Sequence, residues 1–476
     1  MKFIDRKQEL EFLEKKYSSG EAELIVIYGR RRIGKTELLV HFSKGKNYFY
    51  FLGRLESREG TIRRINNLLM SHFKDFELAK RPISDWDDVF EYLARKSNQR
   101  LVVVFDEFPF IVERFPEIVS VLQDKWDALL RDTNMMLILC GSSIGMMEKH
   151  ALSYKSPLYG RRTGQWMVDR MNVKHIRDFF PEYKMEDLIL VYSVLDMIPG
   201  YLVKFSPTDR VWKNIRERIL SKGEFLYEEV EILMREEFRD PSNYMSIISA
   251  IAGGATTFGE INSITGLDKS LLSKYLYILD RLHIIERQFP VTTTLKSKLK
   301  GKKSLYSIRD NFFDFWFRFV FPNKQELEEG KVDDVLETIK NEIDSYIGFK
   351  FERFVGEIIS DLVGFRATKS GRWWHKDKEI DIVALNEQTK QILFVECKWK
   401  DRVNAKKIVK ELAEKSSFVD WCNEEREETF AIFAKSFSNR VEEFEGRRVY
   451  CFDLKDLERY LGVQVVTQFR TEKDKS

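Results

Sequence analysis

Residues 24–41 read LIVIYGRRRIGKTELLVH, and the order of residue types along this stretch decides the fold. The apolar, β-prone run Leu24–Tyr28 leads into Gly29-Arg30-Arg31-Arg32-Ile33-Gly34-Lys35-Thr36, and the helix-compatible Glu37-Leu38-Leu39-Val40-His41 follows. The spacing is G-x-x-x-x-G-K-[ST] set between a strand and a helix, the context that gives the pattern physical meaning. Glycines let the backbone turn closely enough for its N–H groups to face phosphate oxygens, and the helix start adds the positive end of its dipole. Gly29 to Glu37 form the expected cradle of a nucleoside triphosphate, with Lys35 reaching its outer phosphates and Thr36 ligating Mg2+.

A second strand supports that reading. Leu101-Val102-Val103-Val104-Phe105 is a continuous apolar run ending in Asp106 and Glu107. Such a run is what a parallel sheet buried on both faces requires, and ligands of these sheets sit at the carboxyl ends of the strands. Asp106 is expected to hold the Mg2+ through water and Glu107 to act as general base. The next apolar run, Met136–Cys140, ends in Gly141-Ser142-Ser143, which puts a polar side chain, Ser142, at a neighbouring strand tip. Downstream, Ser156-Pro157-Leu158-Tyr159-Gly160-Arg161-Arg162 offers Arg161 or Arg162 as an arginine finger, acting in cis or on a second subunit. A surface ion pair is the competing use of the same arginines.

At 476 residues the chain is too long for one ordinary core. With 43% hydrophobic and 33% charged residues it reads as a soluble, folded protein. Its apolar runs fall short of the roughly 18 residues that span a bilayer, and MKFIDRKQELEFLEKK has no signal-peptide core, so a cytoplasmic address without membrane attachment is expected. Cys140, Cys397, Cys422 and Cys451 lack C-x-x-C spacing, which argues against a zinc site or a disulfide framework. A net charge of +3 is too balanced to indicate nucleic-acid binding by itself, so any basic surface must be local.

Along the chain, Phe3 to about Tyr17 reads as an amphipathic helix, Asn47–Gly53 as a strand, and Ile62–Phe76 and Trp86–Arg95 as helices. A helical stretch from 169 to 240 reads as a lid, interrupted at Met197-Ile198-Pro199-Gly200-Tyr201. Between 241 and 322, a helix over Tyr244–Ala252, a short helix over Thr257–Ser263, a turn at Gly266 and a helix capped by Asp268 describe a helix-turn-helix. The β-like Ile284–Thr294 and Leu305–Ile308, joined by a segment rich in lysine from Lys296 to Lys303, supply an expected wing with a basic tip. Ser270, Ser273, Lys274 and Tyr277 are the groove-facing candidates if the unit meets DNA; packing against protein is the competing use. The aromatic run Asp310–Val320 reads as core, and residues 323–346 as a connector.

The last domain, 347–476, holds a second constellation. Glu352 lies on an amphipathic helix, Asp381 lies on the strand Glu379–Leu385, which opens with an acid, and Glu396 and Lys398 share one face of Gln391–Lys400, the expected antiparallel partner. An acid followed by Asp…Glu-x-Lys across a hairpin is the PD-(D/E)xK nuclease arrangement, in which Asp381 and Glu396 bind Mg2+ and Lys398 orients the attacking water.

With these residues assembled, the chain resembles the archaeal ATPase family of the AAA+/STAND class. FIDRKQEL, YGRRRIGKTELL, VVVFDEFPF, LILCGSS, SPLYGRRTG and SIRDNFFDFWFRF carry the likeness over about the first two-thirds of the chain, and FERFVGEI, EIDIVAL and FVECKWK carry it in the last domain. The resemblance implies an α/β architecture: a P-loop parallel-sheet ATPase domain over 1–168 with its helical lid, then a winged helix, then a restriction-endonuclease-like domain. It implies that ATP and Mg2+ are the cofactors, that Phe3 and Arg6 belong to the element covering the adenine, and that Ser142 sits at the sensor position. Hydrolysis coupled to a DNA-directed winged-helix and nuclease-like module is the expected activity, with a homo-oligomer as a further expectation. The rival reading is a STAND-type switch that assembles and signals with an inactive nuclease-like domain; another is a DNA-binding regulator without nuclease chemistry.

Overall fold

The computed structural model describes residues 3–299 and 304–462, in two compact units, Met1–Met171 and Asn172–Ser476. Among the described residues no helix is long and apolar enough to cross a membrane.

The first unit is built on β1 (Glu23–Tyr28), β2 (Tyr48–Leu52), β3 (Leu101–Asp106), β4 (Met135–Gly141) and β5 (Gly164–Met167). They form a parallel sheet in the order β2-β3-β4-β1-β5. Every residue of β3 and β4 is buried, because helices cover both faces and leave no side for the polar alternation of a half-exposed strand. The helices are α1 (Lys7–Ser18), α2 (Lys35–Ser43), α3 (Arg58–Phe73), α4 (Trp86–Lys96), α5 (Phe108–Arg114) and α6 (Ile118–Ala128). Two of them start where a side chain satisfies a free N–H. Ser57 accepts from the Gly60 amide at the start of α3, and Asp85 accepts from the Asp88 amide at the start of α4. The order places β3 beside β4 and β4 beside β1, so Asp106, Gly141 and the loop after Tyr28 share the carboxyl edge. β5 follows the SPLYGRRTG stretch and has no counterpart among the expected strands; its residues are not fully buried, since it is the outer strand beside β1.

In the second unit, the helix Met185–Leu195 is apolar almost all round and accordingly buried. Its neighbours are the aromatic run after Asp310 and a 32-residue helix, Val332–Val363. Tyr346 donates its hydroxyl toward Ser193 O (2.9 Å) and Asn311 O (3.0 Å), Asn311 Nδ2 donates to Tyr192 O (2.9 Å), and Trp316 Nε1 donates to Tyr227 O (2.9 Å). Phe312, Phe313, Phe315, Trp316, Phe317 and Phe319 are all buried, so the run is core as its composition implies. The connector expected over 323–346 is not a separate element. Val332–Val363 crosses the expected 346/347 boundary without a break, since Ile339, Ile343, Tyr346 and Ile347 keep the helical apolar spacing through it.

Helices Ser242–Ala252, Phe258–Thr265 and Lys269–Arg281 follow one another, with Gly266 (φ +64) turning the chain before the third. Thr257 and Glu260 form a capping box, and Asp268 accepts from the Ser270 and Leu271 amides. The hairpin after them is shorter than expected. β6 (Ile285–Gln288) pairs antiparallel with β7 (Leu305–Ile308), but β6 stops before Phe289-Pro290, where proline cannot donate to the ladder. Beyond it the Val291 amide donates to Arg372 O (3.0 Å) on a strand of the C-terminal sheet, and Leu295–Leu299 is helical. Of the expected basic tip, Lys296 and Lys298 lie in this short helix, whereas Lys300, Lys302 and Lys303 lie outside the described residues.

The C-terminal sheet contains β8 (Lys369–His375), β9 (Lys378–Asn386), β10 (Gln391–Lys398), β11 (Glu427–Ala434), β12 (Glu443–Phe444) and β13 (Arg447–Phe452), in the order β12-β13-β11-β10-β9-β8. β9 and β10 are antiparallel, as the polar turn between them implies, and β10 and β11 are parallel, joined through the helix Ala405–Ser416.

Candidate functional site

The loop after β1 is shaped by contacts that glycine alone permits. A Cβ on Gly29 would lie 2.2 Å from Val168 O, and the Val168 amide donates to Tyr28 O at 2.7 Å, so the loop leaves β1 pressed against the strand beside it. Arg32 (φ +67) and Gly34 (φ +89) then turn the chain through left-handed conformations into α2. Lys35 opens that helix and is buried, with Nζ donating to Gly29 O and Arg30 O at 2.9 Å each. Burial pushes its pKa below the usual lysine value, while the nearby Cys140, Glu107 and Asp106 pull the other way.

Asp106 is the hub. Its Oδ2 accepts from Thr36 Oγ1 (2.7 Å) and Tyr50 OH (2.5 Å), and its Oδ1 accepts from the Glu107 amide (2.9 Å). Glu107, left-handed at φ +49, begins α5, and both its carboxylate oxygens lie 2.7 Å from Ser142 Oγ, the donor at the tip of β4. Lys35, Thr36, Asp106, Glu107 and Ser142, drawn from three separate stretches of sequence, are thus connected. The Thr36 hydroxyl and Asp106 carboxylate are hard oxygen donors, a set that suits Mg2+ and not a soft metal.

Arg6 is more deeply placed than an adenine-covering role requires. It is buried, and its guanidinium donates to Ile33 O (2.7 Å), inside the loop, to Asp169 O (2.7 Å) and to Glu9 (3.0 Å). Phe3 stacks on His41 of α2, with centroids 3.9 Å apart and rings 6° from parallel. Arg30, Arg31, Ile33 and Glu37 lie in the loop and first turn as expected. The expected fingers are both engaged within their own unit. Arg161 Nε donates to both Asp127 oxygens at 2.9 Å, and Arg162 donates to Gln165 and to Leu152 O (3.2 Å). Tyr50 and the Arg6–Ile33 bond escaped the sequence reading. The available signal for Tyr50 was its position in a strand expected to lie in the same sheet as β3.

The second constellation converges on Glu396. In the β9/β10 register Val395 faces Ile382, so one step further Glu396 faces Asp381. Asp381 Oδ2 accepts from the Cys397 amide (2.7 Å), Lys398 Nζ donates to Glu396 Oε1 (2.7 Å), and Lys415 Nζ donates to both Glu396 oxygens (2.9 and 3.1 Å). Lys415, from the helix Ala405–Ser416, carries no motif and was missed. Burial, then the Asp381 charge, pushes the Glu352 carboxyl up to about 8. Burial, then Glu396, pushes Asp381 up to about 6, against the Cys397 amide and Lys398. Among the described residues no group of three or more His, Cys, Asp or Glu side chains is arranged to hold a metal ion. On the helix Lys269–Arg281, Ser270, Ser273, Lys274 and Tyr277 are all exposed, opposite the buried Leu272, Leu276 and Leu279.

Residues 3–205 match a family described as an ATPase domain predominantly from Archaea, and residues 316–408 match one described as Archaea bacterial proteins of unknown function. An uncharacterized protein of Methanocaldococcus jannaschii is 39% identical over 466 residues, spanning 95% of this chain and 99% of that one. A second protein of that organism, described as an uncharacterized ATP-binding protein, is 54% identical over 44 residues, 9% of this chain and 75% of its own length. Among solved structures, the Walker-type ATPase of Pyrococcus abyssi is similar in fold, with a TM-score of 0.51 at 24% identity over 66% of this chain and 96% of that one.

Proposed function

This chain belongs to an archaeal P-loop ATPase family, and from that premise we propose that it binds ATP over Gly29–Glu37, hydrolyses it with Mg2+, and couples the nucleotide state to a DNA-directed module in its second unit. The observation that carries the proposal is the 2.7 Å bond between Thr36 Oγ1 and Asp106 Oδ2, which joins the loop to a strand tip 70 residues away. Mg2+ would be held by Thr36 and Asp106, and it supplies charge neutralisation at the phosphate oxygens. Lys35 exchanges its two carbonyl acceptors for phosphate oxygens. Glu107 takes the proton of the attacking water, and Ser142 holds its carboxylate in place until then. Arg161 or Arg162 serves as the finger, in the same chain or a second copy, once it gives up Asp127 or Gln165.

In the second unit, Ser270, Ser273, Lys274 and Tyr277 form the face for the DNA groove, with Lys296 and Lys298 on phosphates. Asp381 and Glu396 would hold Mg2+ for a nuclease step, Lys398 orients the water, and Glu352 completes the acid set. The support is the shared face of Asp381, Glu396 and Lys398, with the Glu352 and Asp381 carboxyls raised by burial first and by a neighbouring acid second.

The test is ATP turnover by the purified chain with and without DNA, with cleavage of the same DNA followed in the same tubes. Mg2+-dependent turnover that DNA stimulates, with DNA affinity falling steeply in salt, is the expected result. Slow turnover, nucleotide-dependent assembly and no salt-sensitive DNA affinity would instead identify a STAND-type switch, and DNA binding without cleavage would remove the nuclease step.

A further inference from the structure

β2 carries a tyrosine that the nucleotide motifs do not contain. Tyr50 faces Val104 across the β2/β3 pairing and Leu52 faces Asp106, so Tyr50 and Asp106 lie on one face of the sheet, two residues apart along it. The half-buried ring runs toward the strand tip, and its hydroxyl reaches Asp106 Oδ2 at 2.5 Å. Of the two groups the phenol hydroxyl is the donor and the carboxylate oxygen the acceptor.

The bonds to Asp106 differ in kind. Thr36 sits in the first turn of α2, and its hydroxyl is the group a cation would use. Tyr50 OH on Oδ2 and the Glu107 amide on Oδ1 come from the sheet and from the start of α5, and neither is a cation ligand. One donor on each oxygen fixes the plane of the carboxylate and still leaves lone pairs on both, since an ionised carboxylate accepts about four bonds. A phenylalanine would fill the same space and remove the phenol donor from Oδ2.

We propose that Tyr50 is a positioning residue of the ATPase site: its hydroxyl orients Asp106 for the divalent cation and so sets the affinity of the cation in the nucleotide complex. The inference rests on the ATPase reading. Partners that orient metal-binding carboxylates typically account for 10–100-fold in metal affinity, which sets the expected size.

Tyr50→Phe in the full chain tests it, with Mn2+ as the probe, read by electron paramagnetic resonance in the presence of a non-hydrolysable ATP analogue. The expected result is Mn2+ bound about 10-fold more weakly than by the unaltered chain, with metal-free affinity for the analogue and the melting temperature unchanged. Equal Mn2+ affinity in the two proteins would overturn the inference and leave the ATPase reading standing. A parallel loss of metal-free analogue affinity would also overturn it, because that is the signature of a damaged loop. Failure of the unaltered chain to bind the analogue would bring down the ATPase reading itself, and this inference with it.

Discussion

At position 29 a single methyl group would meet the Val168 carbonyl oxygen at 2.2 Å, a backbone atom that cannot swing away. The first glycine of the loop is therefore required by the neighbouring chain as well as by any phosphate. Gly29→Ala is expected to lower the melting temperature and abolish nucleotide binding together, whereas a purely phosphate-facing glycine would affect binding alone. Arg6 has an analogous double role. Arg6→Ala removes charge-assisted bonds to Ile33 O and Asp169 O, each worth about 1.5–3 kcal/mol. The loop should loosen, weakening ATP binding at least about tenfold, and calorimetry of binding and unfolding would check both effects. Residue types and spacing gave Lys35, Thr36, Asp106 and Glu107 their places, because a short loop and a buried strand end leave few geometries. They could not give Tyr50 or the bond by which Arg6 holds the loop, which are contacts made 56 and 27 residues away.

Elements show the same division. The apolar runs of β1, β3 and β4 and the β9/β10 hairpin were legible because burial on both faces or alternation across a turn leaves a direct mark on composition. The extent of β6 was not, since Val291 pairs outside the hairpin, with Arg372. Nor was Lys415, which reaches Glu396 from the helix Ala405–Ser416, an element without a motif of its own. The acid cluster predicts a pH dependence. Glu352 rises from 4.5 to about 8 in the folded chain, which therefore keeps a proton that the unfolded chain releases between those values. Stability of the second unit should fall as pH rises from about 5 to about 8. Glu352→Gln should flatten that slope in denaturant titrations; an unchanged slope would mean that Glu352 does not carry it.

Over the whole molecule, sequence patterns mark a boundary near residue 346, where helical charge gives way to the FERFVGEI stretch, yet a single helix runs through it. Tyr346 in that helix bonds to Ser193 and Asn311, and Tyr192 OH bonds to Glu357 beyond the boundary (2.7 Å). A fragment of residues 347–476 should therefore be poorly folded and quickly proteolysed, while a fragment from 172 onward should unfold cooperatively. Boundaries of this sort are hard to read because a helix that belongs to two cores has no composition of its own.

The central claim is that Thr36, Asp106 and Glu107 handle one nucleotide, its cation and its water. Nucleotide binding and turnover measured side by side for Glu107→Gln tests it most directly. The account predicts ATP affinity close to that of the unaltered chain with turnover at least about 100-fold slower. Turnover at the original rate would contradict it.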